Sequence, residues 1–307
     1  MKANQFIFGA LVTGACLSGC STSKKLTAAN TPEFPKFDYE AHRGGRGLMP
    51  ENTIPAMKHA IDLNVTTLEL DMNITKDKKV VVSHDPYFNP DITTTPEGKH
   101  LTMSEARKRL LYSMTYDSIR KYDVGIKPDP HFPQRKNVAV VKPLLADLID
   151  EAEAYAATKG RKMFYDMEIK SSKAGDNIRH PEPEEFVNLV FKVLKDKKVL
   201  DRTVIQSFDI RPLQIIHKRY PEVKLSYLVG KKTAADVNKR MEELGFNPYI
   251  YSVQYDAITP EMVKACHDRN IKIIAWTPNT EQDFKALTDM GVDGIITDYP
   301  NLYHLSK

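Results

Sequence analysis

The stretch Thr203-Val204-Ile205-Gln206-Ser207-Phe208-Asp209-Ile210-Arg211-Pro212-Leu213-Gln214-Ile215-Ile216-His217-Lys218-Arg219 continues through Tyr220-Pro221-Glu222-Val223 into Lys224-Leu225-Ser226-Tyr227-Leu228-Val229. It reads as a short apolar run at 203–207, an amphipathic stretch at 210–219 and a second apolar run at 224–229. That is a strand, a helix and a strand, the unit from which parallel sheets are assembled. The same rhythm extends both ways from this stretch. Strands are predicted at 38–42, 66–74, 163–170, 203–207, 224–229, 250–254, 271–276 and 293–297. Helices are predicted near 53–63, 145–159, 182–196, 210–219, 233–244, 260–269 and 281–290. Eight strands separated by helices predict an α/β fold, a single (β/α)8 TIM barrel.

One apolar run breaks the rhythm. Lys79-Val80-Val81-Val82-Ser83-His84 has strand character, yet only Lys76-Asp77-Lys78 separates it from the strand at 66–74. That is too short for a parallel crossover, so the run is predicted to fold back antiparallel as a hairpin extension of the second barrel strand. His84 would then lie cross-strand from the region of Glu69 and Asp71. After it, at about 86–142, comes an insertion with a helix candidate at 102–111 and a proline-rich segment, Lys127-Pro128-Asp129-Pro130-His131-Phe132-Pro133. Loops of this length commonly act as lids or substrate walls.

The 307 residues are enough for one such domain, since a barrel takes about 250. With 44 basic and 40 acidic residues the charge is nearly balanced and interspersed, which points away from nucleic acid as a partner. No obligate protein partner is evident. Residues 1–20 differ from the rest: Lys2 precedes the apolar run 6–17, which is too short to span a bilayer and reads as a signal-peptide core. The ending Leu17-Ser18-Gly19-Cys20 resembles a bacterial lipoprotein signal, with Cys20 the lipidated residue. Residues 21–36 are then a flexible tether, and 37–307 the barrel domain. The expected location is outside the inner membrane, lipid-anchored on a periplasmic membrane face. Ser21, with no acidic run after the cysteine, fits retention on that side. Cys16 lies in the signal, so Cys266 is left alone in the folded body and is read as a buried small hydrophobe.

In a βα barrel, reactive groups sit at the C-terminal strand ends. The first strand ends Ala41-His42-Arg43-Gly44-Gly45, and its loop runs through Pro50-Glu51-Asn52-Thr53 to a helix N-terminus capped by Asn52 or Thr53. This is a setting for phosphate. On the second strand, Glu69 and Asp71 share one face, and two inward carboxylates need a positive charge between them. The third strand puts Asp166, Glu168 and Lys170 on one face, with Glu168 best placed as a third ligand and Lys170 as a cation for substrate charge. An all-oxygen set suits Mg²⁺ or Ca²⁺ better than zinc. Two histidines, His42 and His84, remain free for proton transfer. An E-x-D pair alone also fits a solvated strand. The other histidines, at 59, 100, 131, 180, 217, 267 and 304, fall on helices, loops or the tail and are read as structural or solvated.

Taken together, His42-Arg43-Gly44, Pro50-Glu51-Asn52-Thr53, Glu69-Leu70-Asp71, Val81-Val82-Ser83-His84-Asp85-Pro86 and Glu168-Ile169-Lys170 resemble the motifs of the glycerophosphodiester phosphodiesterase family. Gln206-Ser207-Phe208, Trp276-Thr277-Pro278-Asn279 and Thr297-Asp298-Tyr299-Pro300 continue the match in order. The resemblance implies metal-dependent hydrolysis of a glycerophosphodiester to glycerol 3-phosphate and an alcohol. It implies His42 and His84 as the acid–base pair and Glu69, Asp71 and Glu168 as ligands of one divalent cation. Arg43 and Lys170 would lie near the phosphate, Trp276 would wall the glycerol pocket, and Glu51 would have a supporting role. Alternatives are a related barrel phospholipase acting on intact membrane lipid, with Tyr87, Phe88 and Phe132 as candidates for an apolar rim, and a non-catalytic lipoprotein that binds a phosphorylated ligand. A barrel amidohydrolase would need a paired H-x-H, which the sequence lacks.

Overall fold

The structure is a computed structural model that describes Met1 and residues 33–306, with side chains through Tyr303. The signal, the lipidation site at Cys20 and most of the tether lie outside the described residues. Among the described residues no helix is long and apolar enough to cross a membrane.

The strands are β1 (Asp38–Ala41), β2 (Thr67–Ile74), β3 (Val80–Val82), β4 (Phe164–Ile169), β5 (Thr203–Ser207), β6 (Lys224–Val229), β7 (Ile250–Gln254), β8 (Lys272–Trp276) and β9 (Gly294–Thr297). The helices are α1 (Ile54–Asp62), α2 (Met103–Arg107), α3 (Tyr116–Ile119), α4 (Leu145–Thr158), α5 (Pro183–Lys197), α6 (Ile210–Arg219), α7 (Val237–Leu244), α8 (Pro260–His267) and α9 (Glu281–Met290). Eight parallel strands run β1-β2-β4-β5-β6-β7-β8-β9, and β9 pairs back onto β1, so the sheet closes. This is the predicted TIM barrel. β3 is the exception: it lies antiparallel on β2, with Met72 opposite Val82 and Ile74 opposite Val80. The predicted hairpin is therefore present. Ser83 donates its backbone N–H to the Asp71 carbonyl, which brings His84 level with the acids of β2.

Outward-facing strand residues such as Leu68, Leu70, Met72 and Met167 are buried against Met57, Ile61, Leu148, Ile149 and Phe186 of the helical ring. The inward face is divided. β1, β2 and β4 send in Glu40, Glu69, Asp71, Asp166 and Glu168, all buried. β5, β7, β8 and β9 send in Val204, Ile250, Ile274 and Ile296, which form a separate apolar cluster. Phe34 joins that cluster, packing on Phe164 (4.7 Å between centroids) and Tyr249 (5.7 Å), while Lys272 Nζ donates to the Pro35 and Lys36 carbonyls. The last residues of the expected tether thus belong to the folded barrel, because Phe34 covers the apolar half of its lumen.

The insertion has a small core of its own, in which Phe88, Leu101, Ala106, Leu111, Ile119 and Val124 pack on Val81 of β3. Its helix candidate at 102–111 is shorter than expected. Thr102 and Glu105 form a capping box, but α2 ends at Arg107 and Leu110 turns extended to bridge Tyr87. At 233–244 the helix begins only at Val237, where the Asp236 carboxylate accepts the Lys239 N–H. Cys266 is buried, and burial pushes its thiol up to about 12.

Candidate active site

His42 follows β1 in a tight turn in which Arg43 takes φ 52°, Gly44 φ 80° and Gly45 φ 86°. A Cβ on Gly44 would stand 2.8 Å from that of Ala56, so only glycine lets this loop lie against α1. The turn aims the Arg43 backbone N–H at Glu69 Oε2 (2.7 Å), and its guanidinium reaches Glu51 (2.9 Å) and Asp71 (3.4 Å). Thr53 caps α1 by accepting the Ala56 N–H. Asn52, at φ 58°, instead clasps Asp71: its amide donates to Oδ2 (2.8 Å), and its carbonyl oxygen accepts the Asp71 N–H (3.1 Å).

Glu69, Asp71 and Glu168 offer oxygens that all lie within 4.8 Å of one another, a group able to hold a metal ion. Register explains the triad, since Asp71 of β2 pairs directly with Glu168 of β4. Burial and the neighbouring Asp71 hold the Glu69 carboxyl well above the usual range. Burial also raises Glu168, against the pull of Lys170. For Asp71, burial is outweighed by Lys170, His84, Arg43 and the Asn52 hydrogen bond, and its carboxyl is held low. Lys170 Nζ sits 3.0 Å from Glu168 and 3.6 Å from Asp71. Gln206 of β5 donates to the remaining Glu69 oxygen (2.9 Å). The donors are all carboxylate oxygens and two of the acids prefer to be neutral without a partner, so the set fits a hard divalent cation.

His42 Nδ1 lies 2.6 Å from Asp298, just beyond β9. Asp298 also accepts from Arg46 Nε (2.7 Å) and Asn279 (2.8 Å). Burial lowers the imidazole to about 4 despite the opposing charge of Asp298. His42 is therefore neutral at pH 7, with its tautomer fixed by the carboxylate. His84, about one-third exposed, reaches the same cavity from the hairpin, with Nδ1 3.1 Å from Asp85. Lys142, buried at the end of the insertion, donates to Ser83 Oγ (2.8 Å), and Ser83 in turn donates to the Asp85 carbonyl.

These groups surround one cavity of about 150 Å³. His42, Arg43, Glu69, His84, Glu168 and Lys170 line it on one side, and Phe208, Leu228, Trp276 and Ile296 on the other. Trp276 is held by its indole N–H on the Ser252 carbonyl (3.2 Å) and lies edge-on to Phe208. Glu51 stands behind Arg43. All the sequence-predicted site residues among the described residues thus converge. Asp298, Gln206, Arg46 and Lys142 have no role assigned from sequence, and Asn52 only that of a candidate cap, which Thr53 fills instead; an acid one residue past the last barrel strand is the available signal for Asp298. Of the proposed apolar rim, Phe88 is buried and stacked on Tyr122, and Phe132 packs against Tyr299 beneath the Arg46 guanidinium. Neither forms an exposed lipid-facing edge. Of the remaining histidines, His180 is buried and accepts the Ser172 N–H, His217 stacks on Phe246, and His267 pairs with Asp293.

Comparison with known proteins gives the same picture. A glycerophosphodiester phosphodiesterase of Caldanaerobacter subterraneus is 30% identical over 262 residues, covering 85% of this chain and 93% of that one. A Silicibacter pomeroyi structure named for the same enzyme class superposes with a TM-score of 0.78 at 28% identity, covering 90% of this chain and 94% of that one. An Oleispira antarctica phosphodiesterase, solved with sn-glycerol-3-phosphate, shares the fold at 22% identity and a TM-score of 0.69, over 87% of this chain and 95% of its own. The profile of the glycerophosphoryl diester phosphodiesterase family matches residues 42–302, from His42 past Asp298, and the chain belongs to that family.

Proposed function

We propose that this protein hydrolyses glycerophosphodiesters to glycerol 3-phosphate and an alcohol. The observation that carries the reading is the convergence on one cavity of a carboxylate triad, two histidines from separate elements, and the cations Arg43 and Lys170. Glu69, Asp71 and Glu168 would hold one Ca²⁺ or Mg²⁺, which when bound supplies Lewis-acid stabilisation of charge on the phosphoryl oxygens. Arg43 and Lys170 add positive charge that fixes the phosphate in place. His42, kept neutral by burial and oriented by Asp298, takes the proton from the attacking oxygen. As the phosphorus–oxygen bond to the alcohol breaks, His84 gives a proton to the departing oxygen. Trp276 and the aliphatic wall receive the glycerol moiety.

A non-catalytic binding protein would need neither the oriented His42 nor a second histidine in the same cavity. The engagement of Phe88 and Phe132 favours a small soluble diester over an intact membrane lipid. The signal-like N-terminus and Cys20 support a lipid-anchored location on the periplasmic side of a membrane. The test is release of glycerol 3-phosphate from glycerophosphocholine and glycerophosphoethanolamine. Release should stop on chelation and return with Mg²⁺ or Ca²⁺. His42→Ala and His84→Ala should each lower kcat by about 10²-fold or more, and full activity in both variants would overturn the assignment.

A further inference from the structure

A phosphodiester carries two arms, and the cavity that ends at Trp276 has room for one. A second cavity, of about 210 Å³, opens from the first on the other side of His84. The two share His84, Glu168, Lys170 and Phe208, so a phosphate held at their junction would send its second arm into the new space. That arm carries the leaving oxygen, and His84 at the junction is placed to protonate it. The far wall is the loop joining β4 to α5.

This loop is held by side-chain contacts at several points, and one charged side chain in it is free. His180 is buried beneath it, accepting the Ser172 N–H (3.0 Å), with its other ring nitrogen 2.9 Å from the Pro181 carbonyl oxygen. A Cβ on Gly175 would stand 2.4 Å from His180, so the ring and the loop backbone fit together closely. Arg211 fastens the loop to the start of α6 through Asp176 (2.7 and 3.0 Å) and Asp209. Lys173 also pairs with Asp176 (3.2 Å), so the two carboxylates are matched by two cations. Arg179, anchored by its backbone N–H on the Gly175 carbonyl (2.8 Å), lines the cavity, and its guanidinium has no ion pair or hydrogen bond among the described residues. Lys170 adds a second positive charge. The only carboxylate in the lining is Glu168, which is engaged with Lys170 and the triad.

We propose that this second cavity is the binding site for the leaving alcohol and that Arg179 makes it select alcohols carrying a carboxylate or other negative charge. The inference rests on the phosphodiesterase reading above. A free guanidinium offers planar, paired donors to a carboxylate, whereas a head group that is only cationic meets Arg179 and Lys170 as like charges.

Glycerophosphoserine and glycerophosphoethanolamine differ only by one carboxylate on the leaving alcohol, so the ratio of their kcat/KM values isolates its recognition. In the full chain with Mg²⁺ or Ca²⁺ the ratio should favour glycerophosphoserine by about fivefold, the size of a solvent-exposed charge pair, and shrink with added salt. Arg179→Gln should bring the ratio to about one and Arg179→Glu should invert it, while Arg107→Gln, at an exposed position in the insertion, should leave it unchanged. A ratio at or below one in the unsubstituted protein, or one that Arg179→Glu does not move, overturns the subsite and leaves the phosphodiesterase reading standing. Failure to turn over either diester, or glycerophosphocholine, overturns both.

Discussion

At the residue scale, the contact with most consequence joins positions 256 apart, the His42–Asp298 pair. His42 was legible because a histidine at a strand end, followed by arginine and glycines, has few structural uses. Its partner was not, because nothing local in Thr297-Asp298-Tyr299 says that the last strand closes onto the first. The carboxylate fixes which imidazole nitrogen carries the proton, and Asp298→Asn keeps the shape while removing that control. Its kcat should fall by about 10²–10⁴-fold with little change in melting temperature. The pH profile provides a separate check. A base must be deprotonated to act, so activity is lost as pH falls through the pKa of His42. Because burial lowers that pKa to about 4, the acid limb of kcat/KM should lie well below the 6.5 of a free histidine. In Asp298→Asn the charge that supports the imidazolium is gone, so the limb should move lower still. A limb at 6.5 in the unsubstituted protein would overturn the lowered pKa of His42, while the His42→Ala variant tests its role as base.

At the element scale, the sequence rhythm was a good guide wherever a segment had one role. The bounds of α6 and α9 coincide with the predicted 210–219 and 281–290, and each barrel strand falls within its predicted range. The hairpin was legible for a negative reason, since three residues cannot make a parallel crossover. The insertion was legible as an insertion but its inner structure was not, because its helices span five and four residues, too short to show a period, and its core draws on Val81 of the barrel hairpin. Lys142 joins the two elements. It is buried and lowered by burial, it lies over the Phe88 ring, and it donates to the Ser83 that precedes His84. A methionine of similar length would fill the space without a buried charge, so Lys142→Met should fold at least as stably. Losing the tether to Ser83 should let the His84 turn drift and lower kcat by about tenfold. Unchanged kcat alongside an unchanged melting curve would mean that β3 alone positions His84.

At the scale of the whole molecule, the barrel is built with unequal halves. Aliphatic side chains from β5, β7, β8 and β9 fill one side of the lumen, while β1, β2 and β4 crowd carboxylates into the other. Carboxylate oxygens within 4.8 Å of one another would repel by about 3 kcal/mol or more at an effective dielectric near 20 if both were ionised, so the metal-free barrel favours protonated acids, and a divalent cation lets them ionise. Binding only to the folded state should stabilise it by about 2.7 kcal/mol at a hundredfold excess over Kd, and hence raise Tm by roughly 5 °C. Chelation should reverse the shift, and the measurement requires no turnover. Glu69→Gln distinguishes binding at the triad from general ionic stabilisation. Because burial and Asp71 already favour the neutral form of Glu69, the metal-free variant should melt no lower than the parent. Its amide can still accept the Arg43 N–H, yet it is a poor ligand, so the Mg²⁺- or Ca²⁺-induced rise should disappear. If Glu69→Gln kept the full rise, the cation would be binding elsewhere on the barrel, and the triad would be an acidic cluster with another purpose.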